Sequence, residues 1–209
     1  MLYDKDIREP LFDFLDETYG INRCFEEKMI GNSRADIVMV TKDALFGIEI
    51  KSDADTYTRL KRQIKDYDKF YDYNLIVCGG SHGNSVIEHV PKHWGIITVD
   101  EEEDGTCDFY FLRQPLKNPN ASMVCKLSTL WRPELVILQE NLGLPKYANL
   151  GKARLITRIA DMRSEDEFQS EVCNALLERD YTTIGDIFRK KRTSVRVSIR
   201  RKRKTSKKI

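Results

Sequence analysis

SRADIVMVTKDALFGIEIK, residues 33–51, reads as two strands joined by a tight turn. Apolar residues fill Ile37–Val40 and Leu45–Ile50, and Thr41-Lys42-Asp43-Ala44 between them is a turn signal. Side chains alternate along a strand, so Phe46, Ile48 and Ile50 share one face and Gly47, Glu49 and Lys51 the other. Asp36 stands where the first strand begins. Antiparallel neighbours lie close enough to bring Asp36 and Glu49 together at one edge of the sheet. Two converging carboxylates repel, and one has its pKa raised unless a cation sits between them. A hard divalent ion such as magnesium takes oxygen ligands of this kind. Lys51, one step from Glu49 on its face, aims an ammonium at whatever the ion holds. A half-exposed hairpin without chemistry shows the same Gly, Glu and Lys on its wet face, so the pattern needs support from the rest of the chain.

The next stretch provides it. Ala54, Tyr57, Leu60, Ile64, Tyr67 and Tyr71 recur at three- and four-residue steps, a helix packing one face, with Ser52 or Asp53 as N-cap. Gln63 and Tyr67, four apart, lie together on it. Arg59 and Arg62 lie on the same helix, either against a nucleic-acid backbone or simply solvated. Upstream, residues 4–18 form an amphipathic helix with Ile7, Leu11, Phe12 and Leu15 as its stripe. Asp4 or Asp6 caps it, and Pro10 moves its regular part to begin near Arg8. Residues 21–30 make a strand before the turn Gly31-Asn32. Downstream, residues 74–78 and 94–99 are strands, and residues 107–112 an edge strand. The order helix–strand–strand–strand–helix–strand gives an α/β fold, a mixed sheet flanked by helices.

A chain of 209 residues holds one domain plus a small appendage. Its 41% hydrophobic and 33% charged residues fit a water-exposed globular protein. No apolar run reaches membrane-spanning length and MLYDKDIREP lacks a signal-peptide core, so the expected compartment is the cytoplasm, with no membrane partner. Five cysteines, odd in number and without a CxxC pair, read as separate buried thiols rather than a zinc or redox site. The net charge of +2 hides an asymmetry: residues 189–209 carry twelve Lys and Arg and no acid. Taking those twelve from 35 leaves 23 against 33 Asp and Glu, a net of −10 for the body. Such a cationic block is an interaction arm. Arg200, Arg201, Lys202, Arg203 and Lys204 are its densest run, and residues 194–200 also permit a short strand.

Asp36 followed by Glu49-Ile50-Lys51 resembles the PD-(D/E)XK nuclease superfamily, whose shared core is a restriction endonuclease-like αβββαβ unit. Gln63 and Tyr67 are similar to the Gln-x-x-x-Tyr element of its RecB-like branch. Among bacterial and phage members the likeness is to the MmcB-like group linked to DNA repair. Ala35 stands where the name's Pro would be. The resemblance spans roughly residues 4–100. It implies that Asp36 and Glu49, with the carbonyl of Ile50, bind magnesium or manganese. It implies that Lys51 stabilises or activates the attacking water, and that an acid of the first helix completes the site. Glu9 is the match for that acid and Glu26, on the first strand, its rival. The cysteines do not match the clustered iron–sulfur pattern of some members.

Residues 113–125 look like a loop and mark a boundary, giving a nuclease-like domain over 1–112, a helical region over 126–180 and the basic tail. The helices expected are Leu127–Leu142, Gly151–Arg163 and Ser164–Arg179. Gly143-Leu144-Pro145 and Gly151-Lys152-x-x-Leu155-Ile156-x-Arg158-Ile159 resemble a SAP-type nucleic-acid module with a longer loop. Lys152 and Arg154 at the helix start would hold a phosphate; a plain helical hairpin accounts for the same pattern. His89 and His93 are parted by Pro91, which breaks the helix a metal pair would need, and His82 sits in a turn. The expected function is metal-dependent hydrolysis of DNA phosphodiesters in repair, recombination or phage DNA metabolism. The alternatives are a catalytically silent nucleic-acid-binding protein with the same fold and, on the acidic body alone, a protein-interaction subunit.

Overall fold

A computed structural model describes residues 2–52, 55–80 and 83–181. The chain falls into two units, Met1–Leu177 and Glu178–Ile209. The basic tail and its candidate strand lie outside the described residues, as does His82.

The first unit opens with helix α1, Asp4–Tyr19. The helix begins four residues before Arg8, the expected start, and runs on through Pro10. An interior proline costs about 3 kcal/mol. Ile7, Leu11 and Leu15 are all fully buried and each contributes roughly 1.5–3 kcal/mol, so burial outweighs the break. Asp6 does the capping by reaching back to the Tyr3 N–H at 3.1 Å. Strands β1 (Arg23–Ile30), β2 (Ser33–Val40) and β3 (Leu45–Lys51) follow as an antiparallel meander. A single 3-10 turn, Tyr57–Arg59, leads into helix α2, Leu60–Phe70. That start is later than the helical spacing indicates. The N–H and hydroxyl of Ser52 both go to Asp55 Oδ2, which closes a turn where the cap was expected.

Helix α2 crosses over to β4 (Tyr73–Gly79), which pairs in parallel with β3. After the short α3 (Gly83–Val86), β5 (Gly95–Glu101) pairs in parallel with β4, and β6 (Cys107–Arg113) closes the sheet antiparallel. The six strands lie in sequence order with β1 and β6 at the edges, a mixed α/β sheet. Helix α1 covers one face, against Ile37, Ile48, Ile50 and Val77.

The other face packs α2 together with α4 (Met123–Ser128), α5 (Arg132–Asn141), α6 (Lys152–Ile159) and α7 (Glu165–Leu177). The helix expected over 127–142 is thus two. Pro133 sits in the first turn of α5, where its missing N–H is tolerated, and Glu134 Oε2 takes the Trp131 N–H. Nor do these helices stand apart behind a linker. Asn118 in the loop before them donates to the Asp68 and Tyr71 carbonyls at 2.8 and 2.7 Å. The fully buried Lys126 ammonium meets Asp72 and, at 2.8 Å, Gln169. Asp72 in turn accepts the Leu45 N–H at 2.9 Å, so α4 and α7 are bound to the start of β3.

Candidate active site

The register pairs Ile37 with Ile48 and Val38 with Gly47. One step further Asp36 faces Glu49, and there the two strands part. Beyond that point Ser33–Ala35 run with β1 and Glu49–Lys51 with β4. The Asp36 carboxylate fills the gap, accepting the Ile50 N–H at 2.9 Å. A cleft of about 520 Å³ opens between the parted ends, lined by Asp36, Glu49, Ile50, Lys51, Arg59, Arg62 and Gln63 among others. It lies at the ends of central strands, not along the sheet's edge as the sequence suggests.

Glu49 is the anchor of the site and only 1% exposed. Lys51 and Gln63 Nε2 both donate to its Oε1. The Tyr67 hydroxyl donates to its Oε2 at 2.8 Å and accepts the Asp36 N–H at 3.2 Å. Three charge-assisted hydrogen bonds fix one carboxylate, and such bonds are about twice as strong as neutral ones. Gln63 Oε1 is buried and has no hydrogen-bond partner among the described residues. Tyr67 also packs on Tyr71 and Trp94, so it serves core and site at once. Its phenol is held well above its ordinary pKa by burial first and then by the Glu49 charge. Replacing Tyr67 with Phe removes one donor and leaves the Asp36 N–H without its acceptor. The expected loss is about 1–3 kcal/mol, read by urea denaturation; an unchanged midpoint would show that the hydroxyl does not join the two acids.

Burial raises the Asp36 carboxyl to about 7, and the Glu49 charge adds to it; the Ile50 N–H and Lys51 act against the rise. This is the signature of negative charge that a cation would relieve. Among the described residues no three His, Cys, Asp or Glu side chains gather to hold a metal. Magnesium does not need three: it binds through one or two carboxylates and keeps waters or substrate phosphates for the rest. Asp36 and Glu49 bring two carboxylates to the cleft.

The helix acid is a different matter. Glu9 is exposed and lines a separate hollow beside Phe12 and Phe109. At 3.6 residues per turn it stands about 160° from the centre of the Ile7–Leu11–Leu15 stripe, so it turns away from the sheet. Asp4 and Arg8 are the α1 residues in the cleft. Glu26 pairs with Arg8 at 3.1 Å, while its neighbour Glu27 lines the cleft with Arg34. Neither Arg8, Arg34 nor Glu27 stands out in the sequence. Arg34 was within reach, since it shares Asp36's parity on β2. The pair Asp4–Arg8 has the four-residue spacing of an ion pair, here 2.7 Å.

Elsewhere, Lys152 donates to the Ser128 carbonyl at 2.6 Å, which draws it toward the end of α4, while Arg154 is exposed on α6. His93 bonds Asp68 at 3.0 Å and His89 lies against Tyr57. Of the thiols, Cys78 and Cys173 are buried and Cys24, Cys107 and Cys125 half-buried. Burial pushes Cys24 and Cys173 up to about 12, far from a reactive thiolate. No described helix is long and apolar enough to cross a membrane.

Compared with known protein families, residues 2–206 match the one described as Bacteriophage P4 protein cII. No curated protein and no solved structure matches.

Proposed function

We propose that this chain, which belongs to the Bacteriophage P4 protein cII family, is a metal-dependent nuclease of the PD-(D/E)XK kind that hydrolyses DNA phosphodiesters. One observation carries the reading. Asp36, Glu49 and Lys51 meet in one cleft at a split in the sheet, with Gln63 and Tyr67 locking Glu49 from the next helix. The element order from α1 to β4 is helix, three strands, helix, strand, the order of that superfamily's core. The family's name favours a phage setting.

Asp36, Glu49 and the Ile50 carbonyl would hold magnesium or manganese, which when bound polarises the phosphodiester and neutralises developing charge. Lys51 presents an ammonium that orients the attacking water or shields the crowded phosphate. Gln63 and Tyr67 hold the Glu49 carboxylate in place from the next helix. Arg59 and Arg62, which line the cleft, take backbone phosphates, and the basic tail, Arg200–Lys204 included, adds contacts that read no sequence.

If Arg59 and Arg62 touch phosphates, the double change to Ala flattens the plot of log affinity against log salt by about 0.7–0.9 per lost contact. Fluorescence anisotropy with labelled DNA in EDTA reads this slope; an unchanged slope removes both residues from the interface.

A silent binding protein is the second reading. It is favoured by the full engagement of Glu49, whose two oxygens already take Lys51, Gln63 and Tyr67. A cleavage assay over single-stranded, duplex and branched DNA and RNA, with magnesium, manganese or EDTA, separates the two. Metal-dependent cleavage of any form supports the nuclease; tight binding without cleavage of any form supports the silent protein.

A further inference from the structure

The backbone of Asp36 is held in an unusual way. On the β3 side the ladder ends at Ile37. On the β1 side the register pairs Glu26 with Ile37 and Lys28 with Ala35, passing over Glu27 and Asp36. Glu27 has φ 55°, the left-handed region, although it is not glycine and lies within a strand. Such a conformation costs on the order of 1–3 kcal/mol and persists only where the surroundings impose it. With the ladder lapsed on both sides, the two polar groups of the Asp36 main chain turn to side chains. Its N–H goes to Tyr67, from α2. Its carbonyl accepts from Arg8 Nη1, from α1 on the opposite face of the sheet, at 3.2 Å.

Arg8 suits that task. Its side chain is 13% exposed, and its planar fork reaches three acceptors and the charge of a fourth group, Glu27. Nη1 also meets Glu26 at 3.1 Å; Nη2 meets Asp4 at 2.7 Å and lies 3.6 Å from Glu27. One guanidinium therefore joins the start of α1, the left-handed turn of β1 and the carbonyl of Asp36. From the nuclease reading of the cleft, we infer that Arg8 is a positioning residue: it sets where the Asp36 carboxylate points, in the place where an acid of the first helix was expected. A lysine keeps the charge but cannot span these acceptors from one nitrogen, so the geometry of the fork is what matters.

The Ile50 amide reports on this directly, because its acceptor is the Asp36 carboxylate. Hydrogen exchange by NMR on the metal-free, full-length protein reads the clamp whether or not the protein cleaves anything. In Arg8→Gln and in Arg8→Lys, exchange at Ile50 should quicken tenfold or more, while Val99 in β5 stays as in the wild type. Glu26→Gln, which removes the charge of one exposed partner of Arg8, should leave Ile50 protected. Where cleavage is measurable, kcat should fall at least tenfold in both Arg8 variants with KM within a factor of about three. An Ile50 amide unchanged in Arg8→Gln overturns the inference and leaves the nuclease reading standing. Full protection in Arg8→Lys assigns the effect to charge alone, and a rise in KM without loss of kcat makes Arg8 a phosphate contact; either also overturns it. A protein that shows the Ile50 effect but cleaves no substrate keeps the clamp and loses the nuclease.

Discussion

Asp36→Asn is expected to lower cleavage by at least about a hundredfold, the scale of losing one preorganised charge in a site, while making the metal-free protein more stable at pH 8. The two effects have one cause. Burial, then the Glu49 charge, lifts the Asp36 carboxyl to about 7, against roughly 3.9 in an unfolded chain. Between those values the folded state holds the proton and the unfolded state does not. Stability therefore falls as pH rises from about 4 to 7 and stays lower above it, by on the order of a few kcal/mol. The loss is largest where the carboxylate is charged, which is also where it is useful. Asparagine carries no charge, and its amide oxygen still accepts the Ile50 N–H. Urea denaturation in EDTA at pH 5 and pH 8 should show the wild type weakening and the variant changing less. Manganese at pH 8 should restore the wild type, because a ligand bound only to the folded state stabilises it, and should do little for the variant. Parallel pH profiles for the two proteins would show that Asp36 is not the strained acid.

Gly47→Ala is expected to destabilise the fold by about 3 kcal/mol or more, the upper end for an overpacked core. A Cβ built at Gly47 would lie 2.1 Å from the Tyr71 ring and 2.7 Å from the Tyr67 ring. Backbone strain plays no part, since Gly47 is not among the left-handed glycines; the position is closed by space alone. Both rings are fully buried, so neither has room to step back. Moving Tyr67 also withdraws its hydroxyl from Glu49 and Asp36, and activity should fall with stability. Tyr71→Ala in the same chain should recover part of the stability, because the two sites touch and their effects are not additive. A melting temperature for Gly47→Ala within about 2 °C of the wild type would contradict this packing.

Alternation along residues 33–51 carried most of the site. Two strands and a turn are enough to set Asp36 opposite Glu49 and Lys51 beside it, since a period of two leaves no other parity. The four-residue step of a helix set Gln63 and Tyr67 side by side, and the resemblance to the Gln-x-x-x-Tyr element singled them out. The misplaced acid has an equally simple origin: Glu9 was the first-helix acid that the resemblance offered, whereas the helical angle turns it away from the sheet and brings Asp4 and Arg8 inward. Glu27 left no sequence signal, because a left-handed φ at a glutamate is set by its surroundings and not by its own preference. The attachment of α4–α7 was hidden for a related reason. Residues 113–125 have loop composition, but Asn118 and Lys126 bind Asp68, Tyr71 and Asp72 across a long sequence separation, and only the folded chain brings those partners together.

We propose that the cleft at the split between β2 and β3 cleaves nucleic acid with the help of a metal. Manganese-dependent cleavage of labelled DNA, compared between the wild type and Lys51→Ala at matched folded fraction, tests it most directly. The wild type should cleave with manganese and not in EDTA, and Lys51→Ala should still bind the DNA but cleave at least about a hundredfold more slowly. Equal cleavage by the two proteins, or none by the wild type on any substrate form, would contradict it.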